Sequence, residues 1–433
     1  MQKRYTMPYL SLYSDGPSGL TDEKIYAALD RAILTQKERL HRALLLPPDF
    51  TRFHSGAGKI TAYLYHALKD TCQVDIMPAL GTHAPMTADE IRRMFGEIPP
   101  ERFLVHNWRE DVTQIGEVPA EYVAEISEGL MWEAIPVEVN RRLLDPSYDL
   151  IVSIGQVVPH EVVGMANYSK NLFVGCGGRA MINASHMLGA FYGLERILGR
   201  DFSPVRKVFD YAEEHFLQRL PLCYALTVTT APLGEIRMHG LFIGRERQTF
   251  EEAVSLAQTK NIAFVEKPIR KCVVLLDGDE FKTTWLGNKA VYRTRMAIAD
   301  GGELVVLAPG VERFGEDLGN DAIIRKYGYC GRENVLRLVQ ENDDLQQNLG
   351  AAAHLIHGSS DGRFFIVYCT QKITEAEIRR VHYGWAPYAE AVERYNPAAL
   401  SDGWNTLPDG EEIYFIRNPA LGLWADKARF GAN

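Results

Sequence analysis

The chain alternates short apolar runs with longer segments of helical spacing, and this alternation constrains its fold more than any other feature. Arg42–Leu46 is predicted to be a buried strand that ends in a Pro-Pro turn. Residues 59–69 follow with Ile60, Leu64 and Leu68 on one helical face. Strand–helix–strand repeats of this kind predict an α/β fold of largely parallel sheets flanked by helices.

The same alternation continues towards the C-terminus. Further buried strands are predicted in the segments CQVDIM, YDLIVSIGQ, CYALTVTT, KCVVLLDGD and GELVVLAPG. A helix is predicted to begin at Thr87, because Glu90 three residues later completes a capping-box pattern. Further helices are predicted in NASHMLGAFYGLERILG and over residues 288–299.

Length and composition set the number of domains and the class of protein. A chain of 433 residues exceeds one ordinary core, so we expect two α/β domains, residues 1–267 and 268–433, with the last helix able to return to the first domain. The segment VEKPIRK interrupts the pattern at that boundary. A net charge of −9 argues against nucleic acid as a partner, and no apolar run reaches the roughly 20 residues needed to cross a membrane.

The cysteines and the N-terminus indicate a cytoplasmic protein. Six cysteines are scattered without a CxxC pair, which suits a reducing compartment and argues against a disulfide framework or a thiolate zinc site. The first residues include two basic side chains but no apolar h-region, so no signal peptide is predicted. We therefore expect a cytoplasmic α/β protein, with the properties of an enzyme.

Polar residues follow three of the predicted strands. Asp49 to Arg52, Gly81 to His83 and Pro159 to His160 all lie just beyond strand ends. In open α/β sheets, ligands bind beyond the carboxyl ends of the strands. The convergence of these three loops predicts a functional site there.

Three histidines are candidates for chemistry or metal binding. His83 and His160 sit in stiff loops beside prolines, and a histidine can exchange protons near neutral pH. For one isolated histidine a structural role is the more common explanation, but two at separate strand ends are harder to dismiss. His186 is predicted in the first turn of a helix, where one imidazole suffices for a metal only if a cofactor supplies the other donors.

The spacing of these residues resembles the nickel-pincer-nucleotide racemases and epimerases, the lactate racemase family. His160, Lys170 and His186 reproduce the family intervals of ten and sixteen residues. The family's DxTR motif is similar to the segment from Asp49 to Arg52, and its GTH loop with a following proline is similar to GTHAP. A downstream lysine about a dozen residues before a Gly-Gly pair also matches, and these elements keep the family order.

The resemblance implies a role for each matching residue. The cofactor would be the nickel-pincer nucleotide, nickel pyridinium-3,5-bisthiocarboxylic acid mononucleotide, held covalently at Lys170 with His186 as the nickel ligand. His83 and His160 would be the paired acid/base residues. The remaining implied contacts are made by Arg52 and Lys289 to the substrate and by Asp49 and Thr51 to the cofactor pocket.

The family's known activity implies racemisation or epimerisation at a hydroxyl-bearing carbon next to a carboxylate. Hydride transfer suits this reaction, because the C2 hydrogen beside an ionised carboxylate is not acidic. The partners implied are a small hydroxy acid and the proteins that make the cofactor. The active site is implied to lie in the interdomain cleft, with the first domain binding the cofactor and the second closing over it, Lys289 included.

Three departures from the family pattern mark a divergent member. Asn167-Tyr168 replace the glycines that often precede the modified lysine, and Val174-Gly175 replace a common Pro-Gly. Trp285-Leu286 stand where the family has an aromatic-Gln pair. The first two departures bear on covalent attachment of the cofactor at Lys170. The last, together with Trp285 itself, predicts a hydroxy-acid substrate other than lactate and of larger size, and a sugar acid or other polyhydroxylated compound is the alternative.

Other readings remain open beside the racemase. A catalytically silent nucleotide-binding module with the same fold is one, although it has no reason to keep both bases and the ligand. An NAD-type oxidoreductase is another, but no GxGxxG follows a strand. The segment Gly56-Ala57-Gly58-Lys59 lacks the first glycine and the Ser or Thr of a P-loop, and is better explained as a helix start able to hold a cofactor phosphate.

Three further features have structural explanations of comparable or greater weight. His354 and His357 resemble a metal pair, but no acidic residue lies between them and a helix-end pair is the better prediction. Cys176 lies close to Lys170, where a small buried thiol is more common than a reactive one. Residues 316 and 317 are equally suited to a polyhydroxylated ligand and to a solvated turn.

Overall fold

The β-branched and leucine-rich runs form strands that are buried in sheets of mostly parallel order. The protein was analysed as a computed structural model, which describes residues 9–432. The strands in chain order are β1 Leu10–Tyr13, β2 Arg42–Leu46, β3 Gln73–Ile76, β4 Val112–Val118, β5 Ile135–Asn140, β6 Leu150–Gln156, β7 Pro159–His160, β8 Gly164–Met165, β9 Leu222–Thr230, β10 Arg237–Gly244, β11 Ile262–Val265, β12 Ile269–Leu275, β13 Ile298–Ala308, β14 Phe365–Thr370, β15 Gly384–Pro387, β16 Gly403–Thr406, β17 Glu412–Ile416 and β18 Leu423–Asp426.

The segments between the strands form helices, many of them with one buried face. They are α1 Asp22–Ala32, α2 Ala57–Leu68, α3 Ala88–Phe95, α4 Ala120–Ile126, α5 Arg179–Tyr192, α6 Leu194–Ile197, α7 Pro204–Phe216, α8 Arg247–Asn261, α9 Thr284–Gly287, α10 Lys289–Tyr292, α11 Leu318–Tyr327, α12 Arg332–Glu341, α13 Asp343–Gln347, α14 Leu349–His357, α15 Glu375–Arg380, α16 Tyr388–Arg394 and α17 Lys427–Ala432. Short 3-10 helices span Leu34–Arg39, Phe50–Ser55, Pro100–Arg102, Arg141–Leu144, Pro232–Gly234 and Pro419–Leu421, and Asn171–Gly175 is a π-helix.

The chain divides into two compact units. One comprises the chain up to Leu188 together with residues 197–261, and the other comprises Gly189–Arg196 and the chain from Ile262 onward. In the described residues 9–432, no helix has both the length and the apolar character needed to span a membrane.

The first unit is built on a six-stranded sheet in the order β1-β10-β9-β6-β2-β3. Its four strands β9, β6, β2 and β3 run parallel, and β10 pairs antiparallel with both β9 and β1. Helix α2 packs Ile60, Leu64 and Leu68 into the core beside β2, as the predicted helical face requires. The adjacent parallel strands β6, β2 and β3 bring three loops to one edge of the sheet.

The second unit has its own six-stranded sheet, in the order β15-β14-β13-β12-β17-β16. All its neighbouring strands are parallel except β16, which pairs antiparallel with β17. Val273, Leu307 and Phe415 contribute to one of its buried apolar clusters. The two sheets, with helices between their strands, confirm the predicted α/β class.

The predicted helix over residues 288–299 is wrong in extent. Within these residues the structure has only the short helix α10, and β13 already begins at Ile298. Asn288 separates α9 from α10 and accepts hydrogen bonds from the hydroxyls of Tyr368 at 2.8 Å and Tyr383 at 3.0 Å. Beyond α10, the carbonyl of Arg293 accepts from Trp424 N at 2.9 Å, a long-range contact in place of the helical bond that local spacing predicts.

Candidate active site

Three loops of the first unit begin side by side at the carboxyl ends of β2, β3 and β6. Pairing of β2 with β3 continues past the strands as an isolated bridge between Pro48 and Ala79. The loop after β2 carries Asp49, the loop after β3 carries His83, and β6 leads to His160. The predicted convergence of these segments at one sheet edge is therefore observed.

Asp49 organises the first of these loops. It caps the 3-10 helix Phe50–Ser55 and is only 5% exposed. Its carboxylate accepts hydrogen bonds from the Thr51 backbone at 3.0 Å and the Thr51 hydroxyl at 2.5 Å. The second oxygen, Oδ2, accepts a hydrogen bond from Nδ1 of His83 at 2.5 Å. Thr51 thus holds the carboxylate that in turn orients His83.

The electrostatics of this pair assign a proton to one nitrogen of His83. Burial alone would raise the pKa of Asp49, but the hydrogen bonds from His83 and Thr51 outweigh burial and lower it. The carboxylate is therefore ionised at neutral pH and can only accept, so Nδ1 of His83 is the donor. Nε2 of His83 remains an acceptor on a side chain that is 58% exposed. This arrangement is suited to taking a proton from a ligand.

The lowered pKa of Asp49 makes a prediction for stability. A carboxyl whose folded-state pKa is depressed stabilises the fold above its unfolded pKa of about 4, and this stabilisation is lost as pH falls through the folded value. Asp49→Asn should therefore cost about 1–3 kcal/mol at pH 7, and less as pH falls below 4. Urea unfolding of both proteins from pH 7 to pH 3 measures the difference, and a gap that is constant with pH would contradict the assignment.

His160 has the opposite arrangement of ring nitrogens. It lies in β7, which pairs with β8, and it is 8% exposed. The backbone N–H of Val162 donates to its Nδ1 at 3.1 Å, so Nε2 carries the proton of the neutral ring. Burial holds the pKa of His160 well below its usual value; the charges of Lys170 and Arg52 lower it further, against the opposing effect of Glu161. His160 is thus a neutral hydrogen-bond donor at pH 7.

Lys170 follows an unusual turn and precedes the π-helix. Asn167 and Tyr168 have φ values of 65° and 57°, the left-handed region that favours glycine. The side chain of Asn171 donates to Leu46 O at 3.2 Å and to Ser153 Oγ at 2.9 Å, which ties the residue after Lys170 to β2 and β6. The departure from the family's glycines is therefore a change of residue type at positions that keep a glycine-like backbone.

The amine of Lys170 is partly buried and chemically activated. Burial, together with the positive charge of Arg52, lowers its pKa to about 8, although Glu161 acts in the other direction. A substantial fraction is therefore uncharged near neutral pH, which is the nucleophilic form of an amine. Such an amine can be acylated, as the resemblance to covalent family members implies.

A close contact beneath the turn makes a second stability prediction. A Cβ added to Gly155 in β6 would lie 2.1 Å from the side-chain nitrogen of Asn167. Gly155→Ala should lower the free energy of unfolding by about 1–3 kcal/mol, because the clash moves Asn167 or the strand. Gly16→Ala is the control, since the nearest atom to its Cβ is 3.6 Å away. Equal stability of the two variants in urea would show that the turn yields freely.

His186 lies well inside α5, so its predicted place in the first turn is wrong. The helix begins at Arg179, and the carboxylate of Glu138 accepts a hydrogen bond from Ala180 N at 2.9 Å near that end. Nδ1 of His186 donates to Ile182 O at 2.6 Å, which leaves Nε2 as an acceptor or metal ligand. Burial lowers the pKa of His186, so the ring is in the neutral form that binds metals.

Arg52 completes the cationic side of the cluster. It is exposed, and within residues 9–432 no carboxylate oxygen lies within 4.0 Å of its guanidinium. Its charge nevertheless lowers the pKa of both Lys170 and His160, so it lies near them. The first unit thus brings together seven predicted residues: Asp49, Thr51, Arg52, His83, His160, Lys170 and His186.

Glu161 belongs to this cluster and was missed by the sequence analysis. Its carboxylate lies 4.0 Å from Nδ1 of His160. Its negative charge partly offsets the effect of burial, which lowers the pKa of His160, Lys170 and His186. The available signal was its position directly after His160. A glutamate in a loop is usually solvated, however, so the sequence alone does not distinguish the two situations.

Lys289 belongs to the second unit, and its predicted place at the site stays a prediction. It begins α10, with Nζ 3.9 Å from Glu280 and 5.4 Å from the ring centre of Phe281. Trp285, four residues earlier, stacks on His354 at 4.0 Å. The aromatic member of the pair in which Leu286 stands for glutamine is therefore packed within its own unit.

The other candidate residues have structural partners. A hydrogen bond of 3.1 Å joins Nε2 of His354 to the Tyr329 hydroxyl, and burial lowers the pKa of His354 to about 3. Burial raises the pKa of Cys176 to about 12, which makes its thiol unreactive. The Glu316 carboxylate accepts from the Thr283 hydroxyl, and Asp317 caps α11. Across residues 9–432, no group of three or more His, Cys, Asp or Glu side chains is arranged to hold a metal ion.

The helix start at residues 56–59 also has a packing explanation. A Cβ on Gly58 would lie 2.1 Å from the carbonyl oxygen of Met94, so a glycine is required by the approach of α3. Lys59 forms an ion pair with Asp22 at 2.6 Å. The phosphate-holding role predicted for this segment is not needed to explain its residues.

Residues 15–193 match the lactate racemase N-terminal domain, and no curated protein matches the chain. A crystal structure of a Thermotoga maritima protein covers 96% of this chain and 100% of its own at 24% identity, with a TM-score of 0.79. The lactate racemase apoprotein from Thermoanaerobacterium thermosaccharolyticum has the same coverage at 15% identity and a TM-score of 0.70.

The two solved structures share the fold of this chain, and the domain match relates its residues 15–193 to lactate racemase. The matched residues 15–193 contain all seven clustered residues of the first unit. The α/β fold extends the similarity over nearly the whole chain. Residues 15–193 of this chain are therefore similar to the lactate racemase N-terminal domain, and the whole chain shares the fold of a lactate racemase apoprotein.

Proposed function

We propose that this protein racemises or epimerises a hydroxyl-bearing carbon next to a carboxylate by reversible hydride transfer. The observation that carries the proposal is the pair His83 and His160, whose hydrogen bonds leave Nε2 an acceptor on His83 and a donor on His160. One histidine is ready to accept a proton and the other to donate a hydrogen bond. Interconversion of an alcohol and a ketone needs both functions.

The residues of the cluster fit the family's nickel-pincer nucleotide. Lys170 would hold it, because its amine is uncharged to a substantial extent near neutral pH. His186 would bind the nickel through Nε2, the nitrogen that the bond to Ile182 leaves available. Since residues 9–432 contain no group of three or more His, Cys, Asp or Glu side chains that could hold a metal ion, further donors would come from the cofactor. When bound, this group supplies the acceptor and donor of hydride.

The chain's own residues would handle the hydroxyl proton and the substrate's charge. Nε2 of His83 takes the proton, while ionised Asp49 stabilises the imidazolium that forms. Nε2–H of His160 donates to the oxygen as it becomes a carbonyl or returns to an alkoxide. Arg52 has no carboxylate within 4.0 Å in the described chain and would bind the substrate carboxylate through its planar fork. We propose a second carboxylate contact from Lys289.

A sugar acid is the second candidate substrate, and Glu161 favours it. A simple 2-hydroxy acid offers no hydrogen-bond donor beyond its one hydroxyl, whereas an aldonate has several. The carboxylate of Glu161, close to His160, is an acceptor suited to such additional hydroxyls. Its negative charge also disfavours dicarboxylates, because like charges repel at short distance.

The test is turnover in heavy water by protein produced alongside the cofactor-making proteins. Enantiopure 2-hydroxy acids and aldonates are incubated, and the configuration and deuterium content at C2 are measured. Hydride transfer predicts inversion with the original hydrogen retained at C2. Extensive deuterium incorporation at C2 would instead indicate proton abstraction and contradict the proposal. Cofactor-loaded protein with no turnover of any of these compounds would favour the silent nucleotide-binding module.

A further inference from the structure

Arg206 is a fully buried cation whose hydrogen bonds all converge on the segment before Lys170. It lies in α7 and is 0% exposed. One terminal nitrogen donates to Ser169 Oγ at 2.8 Å. The other donates to Met165 O at 2.7 Å and to Asn167 O at 3.1 Å. The guanidinium therefore holds three acceptors within the five residues that precede Lys170.

The charge of Arg206 is compensated through this same segment. In residues 9–432 no carboxylate oxygen lies within 4.0 Å of its guanidinium, and burial lowers its pKa only to about 10, so it stays charged. Asp210 is reached through Ser169, whose hydroxyl donates to Asp210 Oδ1 at 2.7 Å. Burying an arginine is costly unless its hydrogen bonds are made, so the segment and the cation depend on each other.

The segment held in this way is strained. Asn167 and Tyr168 are consecutive residues with positive φ, a backbone conformation that side chains with a Cβ rarely adopt. The Asn167 side chain accepts from Tyr168 N at 2.7 Å, and the Tyr168 ring stacks on Phe250. The guanidinium carbon of Arg206 lies over the same Phe250 ring, 4.3 Å from its centre. These contacts stabilise a positive-φ backbone that glycine would adopt without them.

We infer that Arg206 is a positioning residue that holds the turn of residues 165–169 and thereby fixes Lys170 where the cofactor is attached. The inference rests on the proposed role of Lys170. It explains how this chain keeps a glycine-like backbone with Asn167 and Tyr168 in place of glycines. Arg206 itself does not touch the reacting atoms; it acts through the backbone before Lys170.

The experiment measures the reactivity of Lys170 in full-length protein without cofactor. A small amine-acylating reagent is used at limiting concentration, and acylation of Lys170 and of exposed Lys59 is followed by peptide mass spectrometry. Arg206→Lys keeps the charge but loses the planar fork, and should slow Lys170 acylation about tenfold, the factor equivalent to about 1.4 kcal/mol. Lys59 should react as in the wild type.

Two further variants separate positioning from general packing. Arg206→Lys combined with Tyr168→Gly should recover most of the rate, because glycine adopts positive φ without being held. Arg293→Lys is the matched control: this buried arginine of the second unit also donates to a backbone carbonyl, that of Gly422 at 2.9 Å. It should leave Lys170 acylation unchanged.

The outcomes are decisive in either direction. A wild-type rate in folded Arg206→Lys, or a loss that Tyr168→Gly does not restore, would overturn the inference. If Arg206→Lys does not fold, Ser169→Ala takes its place, since it removes one acceptor and the link to Asp210. A different result is possible for the proposed function: Arg206→Lys slows the acylation of Lys170 and Tyr168→Gly restores it, but the wild-type protein never takes up the nickel cofactor. That result would contradict the proposed function, whereas the positioning of Lys170 by Arg206 would still be supported.

Discussion

Replacing His83 by glutamine is expected to lower kcat by about 10²–10⁴-fold, the usual contribution of a general base. The reason is that Nε2 of His83 is the proposed acceptor for the substrate's hydroxyl proton, and glutamine has no comparable basicity. Asp49→Asn should cause a loss of the same order, because an amide no longer stabilises the Nδ1–H form of His83. Chiral analysis of a racemised hydroxy acid, at saturating substrate and equal cofactor loading, gives both values.

Two further variants serve as controls for the His83 prediction. His66→Gln, at an exposed histidine of α2, should leave kcat unchanged. His160→Gln keeps an N–H donor in the place of Nε2–H and should therefore lose less activity than His83→Gln. If His160→Gln is the more damaging of the two, the assignment of His83 as base and His160 as donor is wrong.

Replacing Lys170 by arginine is expected to abolish covalent attachment of the cofactor. Arginine keeps the positive charge, but its guanidinium is always protonated and is no nucleophile. The mass increment on the peptide containing residue 170 should disappear, and nickel should fall from about one per chain to near background after dialysis. Lys207→Arg, an exposed lysine on α7, is the control and should keep both.

Retention of nickel in Lys170→Arg would mean that the cofactor is held without the covalent link. In that case the hydrogen-bonded neighbours of Lys170, and His186 as ligand, would carry the binding. His186→Ala should then release the metal, because Nε2 of His186 is the protein's proposed nickel ligand. Metal analysis of the two variants side by side separates these contributions.

The sequence predicts elements well where local chemistry determines them. The strand Arg42–Leu46 is observed with the predicted bounds, and Thr87 with Glu90 forms the predicted capping box of α3. Strand β6 and the loops at the sheet edge also follow the prediction, because a buried parallel strand needs a continuous apolar run and ends where prolines begin. The convergence of Asp49, His83 and His160 follows from this topology.

The parts that the sequence could not predict depend on contacts between distant residues. Helix α5 begins at Arg179, earlier than expected, and near that start Ala180 N donates to the distant carboxylate of Glu138, so that His186 lies inside the helix. The left-handed conformations of Asn167 and Tyr168 are equally hidden, since neither residue type requires them.

The electrostatics of the cluster are also beyond local pattern. The pKa of Lys170 depends on burial and on Arg52, which is far away in sequence. Arg206 lies 36 positions after Lys170 and would be taken for a surface residue of an amphipathic helix, yet it is fully buried. Residue types indicate candidate chemistry, whereas the tertiary fold decides which groups meet.

The most direct test of the central claim is the intact mass and nickel content of protein produced together with the cofactor-making proteins. If the proposed function is right, we expect about one nickel per chain and a mass increment on the peptide that contains Lys170. Loss of the nickel in His186→Ala would assign the ligand as well. Protein that binds neither nickel nor nucleotide under these conditions would contradict the proposed racemase.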